Sequence, residues 1–319
     1  MKALENIPLI VIGGPTAVGK TDLSIRLAQQ FNGEIINGDS IQVYRHLDIG
    51  SGKITTAEME GIPHHLLSIL EVDEAYDASR FKLEATALIR DIYSRGKLPI
   101  VVGGTGLYLE GLLYDLEFGG QASTHPEIRA EIEARAAKIG NLALWEELNL
   151  IDPEAASTIP YQNSRRTIRA LEVIQATGML FSSQTSQKNQ ISNFNECLLF
   201  LDRPRAELYD RINKRVLLMG EAGLEQEAHW MFQKAQGRFL PGMKGIGYKE
   251  WLPYFNGEQS KEIVLDHIQQ NSRRYAKRQL TWFRNRFKSV HWLDNSNEEL
   301  AIQLACSIVQ QHVINNEKD

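Results

Sequence analysis

Eight residues near the start of the chain, GPTAVGKT, carry its clearest chemistry: Gly14, Pro15, Thr16, Ala17, Val18, Gly19, Lys20 and Thr21. They match G-x-x-x-x-G-K-[ST] between an apolar strand and an amphipathic helix, which is the setting the motif requires. The glycines let successive backbone N–H groups line a concave nest for phosphate oxygens, and the helix start adds its positive end. Lys20 supplies a point charge, and the Thr21 hydroxyl is placed to ligate Mg²⁺. A second glycine-flanked lysine, Lys53, is not another such loop, because Leu47 stands where the first glycine is required. It reads as a solvent-exposed loop lysine.

A phosphate loop leaves the reaction open among nucleotide hydrolases, small-molecule kinases and transferases that use a different diphosphate. A GTPase is disfavoured, since Asn213-Lys214 is followed by Arg215-Val216 rather than by the aspartate of a guanine-reading motif. Asp39 opens DSIQVYR just past the second apolar run. There it can act as a carboxylate near the phosphates or serve as an ordinary turn aspartate. A third feature is the stretch from Arg273 to Lys288, with seven basic residues and no acidic one. It stands out in a chain of net charge −5, so any nucleic-acid surface must be local.

The elements that must position these groups follow from periodicity. Short apolar runs at Ile7–Ile12, Glu34–Asn37, Leu98–Val102, Cys197–Leu201 and Val290–Leu293 read as strands. Helical patterns at 22–31, 77–95, 205–220 and 261–287 alternate with them; Asp77 or Ser79 caps the second helix and Gly96 closes it. This predicts an α/β fold, a P-loop NTPase-like parallel sheet flanked by helices. Residues 116–195 read as an inserted, mostly helical subdomain, leaving 1–115 and 196–319 as the catalytic core with its C-terminal helices.

The chain has 319 residues, 43% hydrophobic and 24% charged, and lacks the roughly 18 unbroken apolar residues of a membrane span. The N-terminus shows no cleavage site. Cys197 and Cys306, in apolar runs, read as buried thiols. A soluble, cytoplasmic protein is expected, with no membrane partner. No assembly signal appears, so a monomer is expected.

Taken in order, GPTAVGKT, DSIQVYR (39–45), DIG (48–50), GIPHHLL (61–67), VVGGTGLY (102–108), RRTIRALEV (165–173), KGIGYK (244–249) and KRQLTWFR (277–284) resemble the tRNA dimethylallyltransferases, also called tRNA isopentenyltransferases. The likeness spans nearly the whole chain. It implies transfer of a dimethylallyl group from dimethylallyl diphosphate to N6 of the adenosine 3′ of the anticodon, with Mg²⁺ as cofactor and the tRNA anticodon stem-loop as partner. By that resemblance the P-loop cradles the donor's diphosphate, Arg215 with Arg211 assists it, and Asp39 is the general base. Thr16 and Thr105 then face the donor or the target nucleotide. The resemblance assigns tRNA contacts to Asp39, Ser40, Ile41, Gln42, Thr105 and Arg129, and to Arg165, Arg166, Thr167, Ile168 and Arg169. It adds Lys244, Gly245, Ile246, Gly247, Tyr248 and Lys249, then Lys277, Arg278, Gln279, Leu280, Thr281, Trp282, Phe283 and Arg284. Within the last stretch the cationic side chains are expected on RNA, and the aromatics in helix packing. His46 and GSGKI depart from the commoner family string, and no C-terminal Cys/His cluster follows, which fits the shorter bacterial type. An enzyme prenylating free adenine nucleotides, a small-molecule kinase, and a non-catalytic RNA-binding protein are the alternatives.

Overall fold

The computed structural model describes residues 7–114, 125–184 and 192–316. The segment before Ile7 and the boundary expected at Leu116 lie outside them. In chain order the elements are β1 (Pro8–Gly13), α1 (Lys20–Gln30), β2 (Gly33–Asn37), β3 (His64–His65), α2 (Ala78–Ser94), β4 (Leu98–Gly103) and α3 (Gly106–Leu113). There follow α4 (Pro126–Ile151), α5 (Pro153–Thr158), α6 (Ser164–Thr177), α7 (Phe181–Gln184) and β5 (Asn195–Asp202). The chain closes with α8 (Arg205–Ala222), α9 (Leu224–Ala235), α10 (Leu252–Phe255), α11 (Lys261–Arg286), β6 (His291–Asp294) and α12 (Glu298–Asn316).

The six strands form one sheet in the order β3-β2-β4-β1-β5-β6, every pair parallel. All six residues of β1 are buried, as a strand covered on both faces must be. One face packs Ile10, Ile12, Ile100 and Leu199 against Leu23 and Leu27 of α1. Phe200, Phe283 and Phe287 form an aromatic cluster, with ring centroids 4.8 and 5.1 Å from Phe200. Asp77 caps α2 by accepting from the Arg80 N–H at 2.9 Å, and Gly96 past its end is left-handed.

Because the strands run in one direction, the loops after β1, β2 and β4 emerge at neighbouring carboxyl ends. Gly13 pairs with Gly103, and Asn37 with Val102. Residues some 90 apart in sequence are thereby brought to one edge, where open α/β sheets bind ligands. The two-residue β3 is an element the periodicity does not announce. It pairs in parallel with Ile35 and Ile36 of β2, and its His65 joins Arg95 and Lys97 on the Glu34 carboxylate near the start of that strand.

The chain divides into two compact units, 1–115 with 192–319 and 116–191. In the second, α4, α5 and α6 enclose Ile132, Leu144, Leu148, Ile159 and Leu171. Among the described residues no helix is long and apolar enough to cross a membrane. Cys197 is buried, whereas Cys306 is only partly so.

Candidate active site

The phosphate loop bends sharply between β1 and α1. Gly14, Ala17 and Gly19 all take positive φ, and Ala17 does so at +62°, a strained value for a residue with a side chain. Lys20 arches back over the loop, its ammonium donating to the carbonyls of Gly14 (3.0 Å) and Pro15 (2.8 Å). From below, the Asn295 amide donates to the Val18 carbonyl at 2.7 Å. Burial pulls the Lys20 ammonium down to about 8; the Asp39 carboxylate opposes that fall and the Arg215 guanidinium adds to it. Lysine, aspartate and arginine from three different loops and helices therefore share one electrostatic site.

Asp39 is fixed by its own turn. Its Oδ1 accepts from the N–H of Ile41 (2.8 Å) and Gln42 (3.3 Å), and Asn37 holds its backbone at both ends. Thr105, at the turn after β4, accepts from the Ser40 N–H at 3.2 Å. The phenol of Tyr275, on α11, lies against Thr105; burial first, then the Asp39 charge, raise its pKa. Asp39, Ser40 and Thr105 are thus brought together beside the P-loop.

Arg215 reaches this site along α8 and donates to the Gly52 carbonyl at 3.2 Å. A Cβ on Gly52 would overlap the guanidinium at 1.5 Å, and its φ of +57° also favours glycine. Arg211, one turn earlier, donates to the Ala17 carbonyl at 3.0 Å and pairs with Glu298 at 3.2 Å. Arg205 is exposed, over the Tyr209 ring.

The loop carrying Gly52 corrects one expectation. Lys53 is not exposed: its side chain is 6% accessible, and its ammonium binds the Tyr44 carbonyl (2.7 Å), Asp48 (2.6 Å) and the Ser68 hydroxyl (2.9 Å). Such a buried lysine is tolerated because every N–H finds an oxygen. Glu227, which the sequence reading overlooked, receives the N–H groups of Asp48, Ile49 and Gly50, each at 2.8 Å, and the Tyr248 hydroxyl at 2.9 Å. Gln42 spends its amide on the carbonyls of Ser51 and Gly52. In KGIGYK, Gly245, Gly247 and Tyr248 are buried and brace this loop, while Lys244 and Lys249 remain exposed and Ile246 is half-buried.

On α11 the side chains divide by face. Lys277, Arg278, Thr281 and Arg284 are exposed, Leu280 and Trp282 are half-buried, and Gln279 and Phe283 are buried. In the second unit Arg165 and Arg166 are exposed and Thr167 and Ile168 buried. Arg129 and Arg169 both pair with the fully buried Glu172, at 3.5 and 3.1 Å.

Among the described residues no group of three or more His, Cys, Asp or Glu could hold a metal unaided. The donor set that does exist is the exposed Thr21 hydroxyl on the first turn of α1. One hard oxygen suits Mg²⁺, which takes few protein ligands and completes its shell with phosphate oxygens and water. The site therefore fits that ion.

Comparison with known proteins gives this geometry a context. The family model described as IPP transferase matches residues 42–286, and one described as isopentenyl transferase matches residues 7–76. The tRNA dimethylallyltransferase of Lactiplantibacillus plantarum is 52% identical over 92% of this chain and 94% of its own length. That of Macrococcus caseolyticus is 48% identical over 99% and 98%. Among solved structures, the full-length tRNA isopentenylpyrophosphate transferase of Bacillus halodurans is 42% identical with a TM-score of 0.73, covering 98% of each chain. A eukaryotic dimethylallyltransferase acting on tRNA is 32% identical with a TM-score of 0.83, over 97% of this chain and 80% of its own.

Proposed function

Because this chain belongs to the tRNA dimethylallyltransferase family and transfers a dimethylallyl group to tRNA, we propose that its P-loop is a cradle for the leaving diphosphate of dimethylallyl diphosphate. The acceptor is N6 of the adenosine 3′ of the anticodon. What supports this most is the shared charge site, in which Lys20 feels both Asp39 and Arg215. A diphosphate needs the cations; an amine acceptor needs the carboxylate.

The chemistry follows from those groups. Rupture of the allylic C–O bond places negative charge on the diphosphate, which Lys20, Arg215 and the P-loop N–H groups stabilise. When bound, Mg²⁺ would neutralise further phosphate charge, with Thr21 as its protein ligand. The exocyclic amine of adenine is a poor nucleophile because its lone pair is delocalised into the ring. Asp39 takes the proton lost from N6 as the N–C bond forms, and its Oδ1 is already oriented by the turn that holds it. Thr105 and Ser40 border the acceptor.

A base stacked in an anticodon loop cannot reach such a site, so it must leave the stack. Lys277, Arg278 and Arg284 on α11 and Lys244 and Lys249 supply phosphate contacts. In the second unit, Arg165 and Arg166 serve the same end. Arg129 and Arg169, paired with Glu172, organise that unit's surface. The enzyme acts as a cytoplasmic monomer.

The test is to incubate the protein with dimethylallyl diphosphate, Mg²⁺ and unmodified tRNA, then digest to nucleosides for mass spectrometry. An adenosine that has gained C5H8 is expected. A panel of tRNAs yielding none would sink the proposal.

A further inference from the structure

Gln279 lies within the basic stretch of α11 yet is only 5% exposed. Its carboxamide joins two loops distant in sequence. Oε1 accepts from the Thr16 N–H of the phosphate loop at 3.0 Å, and Nε2 donates to the Gly104 carbonyl, in the turn after β4, at 2.8 Å. The strands preceding those loops, β1 and β4, are paired neighbours, so the amide bridges adjacent carboxyl ends of the sheet. The fit is close: a Cβ on Gly104 would lie 2.3 Å from Nε2. Glutamine supplies one acceptor and one donor at a fixed separation. The same carboxamide also meets the Tyr275 phenol. Methionine would fill the space without any of these bonds, and an ionised glutamate would face the Gly104 carbonyl with a second acceptor.

The two loops hold opposite halves of the reaction. Thr16 belongs to the donor cradle; Gly104 leads into Thr105, which is bonded to Ser40 beside the general base. Each loop also has supports of its own. The cradle is braced by Asn295 and by Lys20, and the turn by the Tyr108 N–H donating to the Thr105 carbonyl at 2.9 Å. Only Gln279, among the described residues, hydrogen-bonds to both loops at once.

We infer that Gln279 is a positioning residue that keeps the donor cradle in register with the acceptor turn, so that the allylic carbon and N6 meet at attack distance. This rests on the P-loop being the donor cradle. A shift of about 1 Å between reacting groups costs on the order of 10²-fold in rate, while leaving each binding site intact. The expected signature is a loss confined to turnover.

The experiment compares the full-length wild type with Q279M and Q279E. It measures binding of magnesium diphosphate by calorimetry, binding of unmodified tRNA, and kcat with both substrates saturating. Q279M should lose about 10- to 100-fold in kcat and keep both dissociation constants within about threefold. Q279E retains the acceptor for Thr16 and guards against a packing defect in Q279M. At neutral pH it should also turn over slowly, and its rate relative to wild type should recover as pH falls and the protonated acid donates to Gly104. Turnover of Q279M within twofold of wild type would overturn the inference. So would a kcat loss matched by an equal loss of diphosphate or tRNA affinity, which marks mere support of one loop. A wild type that binds tRNA but no diphosphate would instead overturn the cradle reading itself, and the inference with it.

Discussion

Titration of Lys20 gives the sharpest quantitative handle on the proposed donor site. Burial, partly offset by Asp39, sets its ammonium near 8 in the protein without ligand. A bound diphosphate favours the charged form and carries that pKa upward. The direction of the linkage follows. Below about pH 8 the ammonium is already present and donor affinity is flat; above it, the neutral amine must first take up a proton. With a free-state value of about 8 and a bound value well above it, the donor's dissociation constant should rise about tenfold between pH 7 and pH 9, some 1.4 kcal/mol. The assay is calorimetric binding of a non-reactive diphosphate monoester at constant free Mg²⁺ across that range. Two variants sharpen it. K20R keeps a charge throughout and should bind more weakly with a flat profile. D39N removes the carboxylate that raises Lys20, so its break should move to lower pH. A wild-type profile that stays flat to pH 9 would refute the placement of a depressed ammonium at the diphosphate.

Three further outcomes follow. Asp39→Asn should reduce kcat by roughly 10² to 10⁴, the usual worth of a general base, with tRNA affinity unchanged by filter binding. Glu227→Ala removes the acceptor for three loop N–H groups and Tyr248. It should cost about 3 kcal/mol in urea unfolding and lower kcat, because the loop that carries Gly52 also props Arg215. At the far side of β2, Arg95 chiefly, then Lys97 and His65, hold the Glu34 carboxyl well below its ordinary 4.5. That stabilisation is complete above pH 4.5 and fades as pH falls below it, so Glu34→Gln should be about 2 kcal/mol less stable at pH 7 and lose less on acidification.

What could be read from the sequence was what lies contiguous in it. The phosphate loop is a single run of eight residues between two periodic elements, and Asp39 stands at a strand end where parallel topology must expose it. The strands and long helices were legible because burial on both faces, or along one stripe, imposes a period. β3 escaped because two residues have no period. Lys53 reads as exposed because its three acceptors come from Tyr44, Asp48 and Ser68, and nothing local distinguishes a clamped lysine from a solvated one. Glu227, and the bridge made by Gln279, which the family resemblance places among the tRNA contacts, are hidden for the same reason on a larger scale: their partners lie 179 and 263 residues away. Gln279 was also masked by its neighbours, whose charges describe the opposite face of the same helix.

Whether the P-loop holds a leaving group and spends no nucleotide is decided by the phosphate balance of a single turnover. Enzyme, unmodified tRNA, Mg²⁺ and dimethylallyl diphosphate labelled in its phosphates are mixed without any nucleotide, and released phosphates are separated chromatographically. One intact diphosphate per prenylated adenosine is expected, with no orthophosphate. Transfer that requires ATP, or that releases orthophosphate in step with the product, would rule out a P-loop that serves only as the diphosphate cradle.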